Sequence, residues 1–439
     1  MPAEAVGVGL VGFGTIGTGV VEVLQRNAAV IAERLGFPLR LVRIADLDLA
    51  RERGVDLAGI RFDSDTEALL DDPAVQIVVE LIGGYDPARR LILAAIERGK
   101  HVVTANKALL ALHGAEIFDA AARRGVDVAF EASVGGGIPI LRSLREGLAA
   151  NEILSIHGIV NGTTNYVLTE MEATGESFET VLERAQRLGY AEADPSFDVD
   201  GIDAAHKLTL LVAMAFGAQL TFKEIPTEGI RGLLPVDFAA AQRFGFQIKL
   251  LAIAKACPDG RIEARVHPTF IPSGSLLANV RGAMNAIAVH GNAVGPTLFY
   301  GAGAGALPTA SAVVADLMEI ARELRRGTAG RVAPLSYVPQ ALRPRPLVPL
   351  GELRGRFYLR VTALDRPGVL AQVAGALGEH GIGIESVIQH ARASGAEAVP
   401  VLMLTHPAAE AAIRRALAAL ERLPDVTAPT RVVRIEEEL

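Results

Sequence analysis

Along residues 1–135, short apolar runs alternate with stretches of helical periodicity. Val6–Val11 reads as a strand, followed by a helix through Leu35. Strands at Leu39–Ala45, Ile77–Leu81, His101–Thr104 and Asp127–Glu131 are separated by helices at Pro87–Arg98 and Ala108–Arg124. Such alternation predicts a parallel sheet covered by helices on both faces. Residues 136–325 have a different rhythm: a strand at Ile153–Val160, then helices at Ser177–Leu188, Ile202–Phe216 and Asp237–Ala256. Strand patterns return at Ile262–Phe270 and Ala286–His290, and an amphipathic helix at Thr309–Arg326 is expected to pack back on the first domain. This reads as an α+β second domain. Residues 326–350 are rich in Pro, Arg and Gly, which suits an extended linker. Within 351–439, strands at Phe357–Ala363, Ile384–Ala391, Ala398–Thr405 and Thr430–Glu436 alternate with helices at Pro367–His380 and Ala408–Arg422. That βαββαβ order is ferredoxin-like. Behind its linker, this last unit can fold as a unit and need not contribute to a catalytic cleft. Truncation near Arg343 is accordingly expected to leave a soluble, active remainder.

At 439 residues, with half of them hydrophobic, the chain can hold two or three cored domains. The net charge of −7, the lack of a dense basic tract and the absence of Trp speak against nucleic-acid binding. No apolar run reaches the ~20 residues of a membrane span, and the N-terminus lacks the basic region of a signal peptide. The single cysteine, Cys257, permits no disulfide framework and lies in a turn. A cytoplasmic protein is expected.

Candidate chemistry clusters at strand ends. Gly12-Phe13-Gly14-Thr15-Ile16-Gly17 follows a strand and opens a helix. The first glycine makes the turn, the second admits a pyrophosphate, and the third lets helix and strand pack closely. Asp46, 29 positions after Gly17, is the candidate ribose ligand and favours NAD; Arg43 and Arg51 could instead receive a 2′-phosphate. Gly83, then Thr104 and Lys107, follow two further strands at the same sheet edge. Glu131 heads a run with three glycines, Gly135–Gly137, whose carbonyls suit either a hard cation or a hinge. Asn161-Gly162-Thr163-Thr164-Asn165 offers amides and hydroxyls to a ligand, or caps a helix. Gly189 fits a helix C-cap, and Glu192 and Asp194 follow it on a loop. Asp203 and Lys207 stand four apart on an apolar helix, a pair that could bind a polar substrate and move a proton, or simply start the helix with Asp203 favoured by the dipole.

Gly12–Gly17, Thr104-Ala105-Asn106-Lys107, Gly158–Tyr166, Gly189–Pro195, Asp198–Lys207 and Tyr300–Ala310 together resemble homoserine dehydrogenase, in that family's order. The C-terminal unit, with Asp365-Arg366-Pro367-Gly368-Val369-Leu370, resembles an ACT domain. The resemblance implies NAD- or NADP-dependent interconversion of L-homoserine and L-aspartate 4-semialdehyde, in threonine, methionine and isoleucine biosynthesis. It implies Lys207 as acid/base and Lys107 as a second lysine. Glu192, Asp203, Thr163 and Asp198 would hold substrate. Cofactor contacts would come from Gly12–Gly17, Asp46, Gly83, Thr104, Lys107, Gly189, Glu192, Gly303 and Gly305. A sodium ion would sit on Glu131 with the Val134, Gly136 and Ile138 carbonyls. Asp365, Gly368, Val369 and Leu370 would form an effector site, threonine being the implied ligand. A homodimer or homotetramer is implied. Two other readings stand beside this one. A phosphorylating semialdehyde dehydrogenase would need Cys257 as nucleophile. A cofactor-binding amino-acid sensor would have no use for the Asp203/Lys207 pair.

Overall fold

The computed structural model describes residues 4–219, 222–389 and 397–439. It divides into two compact units. One comprises Met1–Ile156, Ala205–Glu224 and Asn285–Arg345; the other comprises His157–Ala204, Ile225–Met284 and Pro346–Leu439.

In the first unit, Val6–Val11 is wholly buried, as a central strand with helices on both faces must be. It pairs in parallel with Leu39–Ala45 on one side and Ile77–Glu80 on the other. Arg61–Asp63 extends the sheet beyond the former, and His101–Thr104 and Val128–Ala129 beyond the latter, all in parallel. The spatial order is therefore 3-2-1-4-5-6, that of a dinucleotide-binding sheet, whose ligands lie at the carboxyl ends of the strands. The helix expected to run to Leu35 is instead two, Thr15–Arg26 and Ala28–Leu35, broken at Asn27. Only Ile31 is buried in the second. The expected last helix spans Ala306–Arg326 and does pack on the nucleotide domain. Its Ala310, Val313, Leu317 and Ile320 share one core with Val20, Val21 and Leu24. The approach is close at Gly19, where a Cβ would stand 2.7 Å from the Ala306 carbonyl.

In the second unit one expectation fails. Asp237–Ala256 is not one helix: Pro235–Arg243 is helical, and Phe246–Ala256 is a strand. Gly245, at φ +83°, ends the helix where a side chain would be strained. The strand pairs antiparallel with Ile262–Pro272 over its whole length. It is almost continuously buried, so the alternation that marks a strand is missing and the run imitates an apolar helix. Gly162–Thr174 is a helix capped by the Asn161 side chain, the capping role being one of the two that the sequence offered for this motif.

The βαββαβ unit forms as expected, with strands in the order Arg431–Ile435, Arg354–Leu364, Ala398–Thr405, Ile384–Gln389. Residues 390 and 391 of the expected second strand lie outside the described residues. Its helices, Val369–Glu379 and Glu410–Leu420, cover one face over a core of Leu359, Val361, Val373, Leu377, Met403 and Ile413.

The unit is also joined to the strands before it. Arg431–Ile435 pairs in parallel with Ile262–Pro272, so the C-terminal sheet continues that of Phe246–Ala256 and Ile262–Pro272. Across the seam, Tyr358 stacks on Phe270 with centroids 4.7 Å apart and donates to Asp237 Oδ1 at 2.8 Å. Nor is the stretch before it a free tether. Arg343 N–H donates to the Gly217 carbonyl, and Val348 N–H to that of Ile262. Composition marked the segment as extended, but its backbone groups are paired with neighbouring chain rather than with water alone.

Lys249 is 2 % exposed, and its Nζ donates to the Val280 carbonyl at 2.6 Å and to Asn165 Oδ1 at 3.3 Å. Burial pushes its pKa down from 10.5 to about 8. Between these values the unfolded chain binds more protons than the folded one, so stability rises with pH across that window. Lys249→Gln should remove this rise, seen as urea midpoints that no longer separate between pH 8 and pH 10. Parallel pH curves for wild type and variant would show that the amine is not so shifted.

Candidate active site

At the first strand's end, Gly12 has φ +98°, and a Cβ there would lie 2.6 Å from the Leu81 carbonyl group. A Cβ on Gly17 would stand 2.2 Å from the Gly12 oxygen. At Gly14, the residue preceding the helix, a Cβ would meet nothing within 4 Å, and no side chain caps the helix. Two glycines thus close the turn while the middle one leaves open space beside free helix amides, a cradle suited to a pyrophosphate. Phe13 is fully buried, Gly14 and Ile16 are half-buried, and Thr15 is exposed.

Asp46 lies beside this loop: its carboxylate accepts the Phe13 N–H and, at 2.8 Å, the Asp48 N–H. Arg43 is not available for a phosphate. It is 2 % exposed and paired with Asp63 at 2.7 Å. The arginine that flanks Asp46 is Arg53, which the sequence reading passed over. It lies 4.6 Å over the Phe13 ring, donates to the Phe13 carbonyl at 2.6 Å, and stands 3.7 Å from Asp46 Oδ1.

Another residue missed from sequence is Glu80, fully buried at the end of its strand. One oxygen accepts the Ile82 and Gly83 N–H groups at 2.9 and 3.2 Å; the other accepts the Thr104 hydroxyl at 2.6 Å. Thr104 in turn receives the Asn106 N–H, and Asn106 donates to the Gly84 carbonyl at 2.8 Å and caps the helix that Lys107 begins. Burial raises the Glu80 pKa. The chain therefore spends a buried carboxyl on joining two neighbouring strand ends, Gly83 and Thr104–Lys107. An acidic residue at the end of an apolar strand was the signal available.

The glycine runs also meet within this unit. Gly137 N–H donates to the Ala302 carbonyl, and a Cβ on Gly136 would lie 2.5 Å from the Gly303 oxygen. Gly305, at φ +124°, starts the helix that packs on Thr15–Arg26. Gly303 and Gly305 thus return to the glycine run and to the helix of the nucleotide loop. Glu131 is buried, and its two oxygens accept the Leu141 and Arg142 N–H groups at 2.9 and 2.7 Å. The Ile138 carbonyl accepts the Ile140 N–H at 2.8 Å. Among the described residues no group of three or more His, Cys, Asp or Glu could hold a metal ion.

In the second unit the polar residues converge on Asn161. Its Nδ2 donates to Asp203 Oδ2 at 2.8 Å and to Asp198 Oδ1 at 2.7 Å. The Thr163 hydroxyl lies 2.6 Å from the Tyr190 carbonyl and 3.1 Å from Asp198 Oδ2. Gly189, at φ +78°, turns the chain after Phe178–Arg187; Glu192 beyond it is exposed. Asn165, in the same motif, serves structure: its Nδ2 reaches the Val280, Gly282 and Met284 carbonyls. Asp203 stands at the start of the Ile202–Phe216 helix and is 3 % exposed; Lys207, one turn further along that helix and part of the first unit, is 9 % exposed. Cys257 is half-buried in its turn, and burial raises its thiol pKa, the opposite of an activated nucleophile.

This arrangement has known counterparts. Residues 139–318 match the sequence profile of homoserine dehydrogenase, 12–131 that family's NAD-binding domain, and 357–425 the ACT domain. The chain belongs to the homoserine dehydrogenases. The homoserine dehydrogenase of Pseudomonas aeruginosa is 49 % identical over 436 residues, covering 99 % of both chains. The crystal structure of the Thiobacillus denitrificans homoserine dehydrogenase superposes with a TM-score of 0.92 at 48 % identity, again covering 99 % of both. A hyperthermophilic archaeal homoserine dehydrogenase in complex with NADPH matches with a TM-score of 0.61 at 28 % identity, covering 72 % of this chain and 98 % of its own. The chain is therefore an NAD(P)-dependent oxidoreductase with a C-terminal ACT domain. No helix among the described residues is long and apolar enough to cross a membrane.

Proposed function

We propose that this enzyme interconverts L-homoserine and L-aspartate 4-semialdehyde with Lys207 as the acid/base. The observation that carries the reading is the junction at Asn161. Two carboxylates, Asp198 and Asp203, are held by one amide at the start of the helix that carries Lys207. Paired carboxylates suit the ammonium of an amino-acid substrate, with Glu192 and Thr163 completing the surround. One turn from Asp203, Lys207 takes the hydroxyl proton of homoserine in one direction and returns it in the other. Lys107, at the start of its helix, adds positive charge that stabilises a developing alkoxide. A bound nicotinamide supplies the hydride chemistry. The open space at Gly14 and the uncapped helix start fit the cofactor's pyrophosphate, and Gly83, Thr104, Gly189, Gly303 and Gly305 are assigned to the same cofactor. A sodium ion on Glu131 and the carbonyls of Val134, Gly136 and Ile138 would brace the glycine run. The ACT domain binds an amino-acid effector, threonine, at Asp365, Gly368, Val369 and Leu370, and the enzyme works in the cytoplasm as a homodimer or homotetramer. Steady-state turnover of homoserine by the full-length chain, with and without threonine, tests the reaction and its regulation together.

Cofactor choice rests on Asp46. Asp46→Ala should weaken NAD use more than NADP use, because a carboxylate hydrogen-bonds a ribose hydroxyl but repels a phosphate. Comparing kcat/KM for the two cofactors decides it. Equal loss with both would leave Asp46 only the loop-bracing role of its bonds to Phe13 and Asp48.

A further inference from the structure

The segment 227–231 wraps the turn that carries the substrate carboxylates. Ile230 N–H donates to the Val199 carbonyl at 2.8 Å, and the Arg231 Nε donates to Asp200 Oδ1 at 2.6 Å. A Cβ on Gly229 would stand 2.2 Å from the Val199 oxygen and 2.5 Å from the Asp200 Cα, so backbone lies directly on backbone. Gly201, at φ +84°, faces Thr227 and Val266. The turn between Asp198 and Asp203 therefore has no room to shift unless 227–231 shifts with it. That segment is tied to Ile262–Pro272 by the Glu228 N–H bond to the Val266 carbonyl, at 2.8 Å.

Its remaining anchor comes from the C-terminal domain. The Arg434 guanidinium, on the last strand, grips both oxygens of Glu228 at 2.8 and 3.0 Å. The same guanidinium binds both oxygens of Glu410 at 2.6 and 2.9 Å, at the start of the Glu410–Leu420 helix. Arg360 adds a bond to the Gly232 carbonyl at 3.0 Å. A planar fork satisfied on two edges fixes position as well as charge, which an ammonium would not do.

We propose that Glu228, held by Arg434 of the ACT domain, is a positioning residue that sets the Asp198–Asp203 turn for substrate. The ACT domain then belongs to the substrate-binding apparatus even without effector, and motion of its last strand reaches the carboxylates through the Arg434–Glu228 ion pair as well as through the strand's pairing with Ile262–Pro272. The inference rests on the role proposed above for Asp198 and Asp203.

The test compares full-length Glu228→Ala, Glu228→Gln, Arg434→Gln and Arg434→Lys with wild type. It reads kcat, KM for homoserine, KM for cofactor and melting temperature. Glu228→Ala and Arg434→Gln should raise the homoserine KM about tenfold while leaving the cofactor KM near its wild-type value. Arg434→Lys, which keeps the charge but loses the fork, should fall between. A merely structural role would lower the melting temperature and the active fraction without moving the homoserine KM. Should the alanine variant not fold, Glu228→Gln, which keeps shape and one acceptor, decides in the same way. Wild-type homoserine KM in the folded variants overturns the inference alone. Absence of homoserine turnover in the wild type overturns the functional reading and the inference with it.

Discussion

Lys207→Ala should lower kcat for homoserine oxidation by about 10²–10⁴-fold, the range for losing a positioned general acid/base. Cofactor affinity should stay close to wild type, because the nucleotide loop Gly12–Gly17 and the Glu80–Thr104 bond are built from other elements. Lys207 is 9 % exposed on a helix that also buries the polar residues Asp203, His206 and Thr209, and alanine is a strong helix former, so the substitution leaves the helix intact and removes one functional group. Stopped-flow titration of cofactor fluorescence alongside steady-state turnover separates the two effects. Near-native turnover would remove Lys207 from the acid/base role. Lost turnover with lost cofactor binding would point to a folding defect instead.

Deleting Pro346–Leu439 should abolish turnover and cooperative unfolding of the remaining chain, against the expectation from the proline-rich linker. The deletion strips the partner strand from Ile262–Pro272 and the aromatic cover from Phe270. It also removes Tyr358 and Arg360 from Asp237, a carboxylate whose pKa burial already raises. Breaking one buried ion pair by removing a single partner costs about 3–5 kcal/mol, against a total stability of roughly 5–15 kcal/mol. The archaeal relative matches over 72 % of this chain and 98 % of its own. A strand edge left bare in this chain is a different matter, since an exposed edge invites aggregation. Sedimentation and thermal melting of the truncated protein decide the point. A soluble, two-state, active fragment would restore the independent domain.

What the sequence carried most legibly was local. Glycines that the turn geometry requires, at Gly12 and Gly17, can be read in their places because backbone constraint is written into one residue type. The strands of the nucleotide domain were legible as short apolar runs set between helical patterns, and the βαββαβ order of the C-terminal domain likewise. The Asp237–Ala256 stretch was misread because a strand buried on both faces loses its period, and only the partner strand Ile262–Pro272 makes it one. Glu80 and Arg53 were invisible for a related reason. Their significance lies in what stands opposite them, Thr104 and Phe13, which are 24 and 40 positions away. The pairing of Arg43 with Asp63, across two parallel strands, equally could not be read from its neighbours. The continuity of the C-terminal sheet with Ile262–Pro272 is the largest such case. A proline-rich stretch signals extended chain, but not what that chain hydrogen-bonds to.

The central claim, a dehydrogenase working through the Asp198–Asp203–Lys207 constellation, is tested most directly by mixing the full-length chain with L-aspartate 4-semialdehyde and reduced cofactor. Absorbance of the reduced nicotinamide is followed for wild type and Lys207→Ala. The account predicts one cofactor oxidised per aldehyde consumed, with L-homoserine as product, and a variant slower by at least about a hundredfold. Wild-type protein that binds the cofactor yet leaves its absorbance unchanged in the presence of the aldehyde would contradict it.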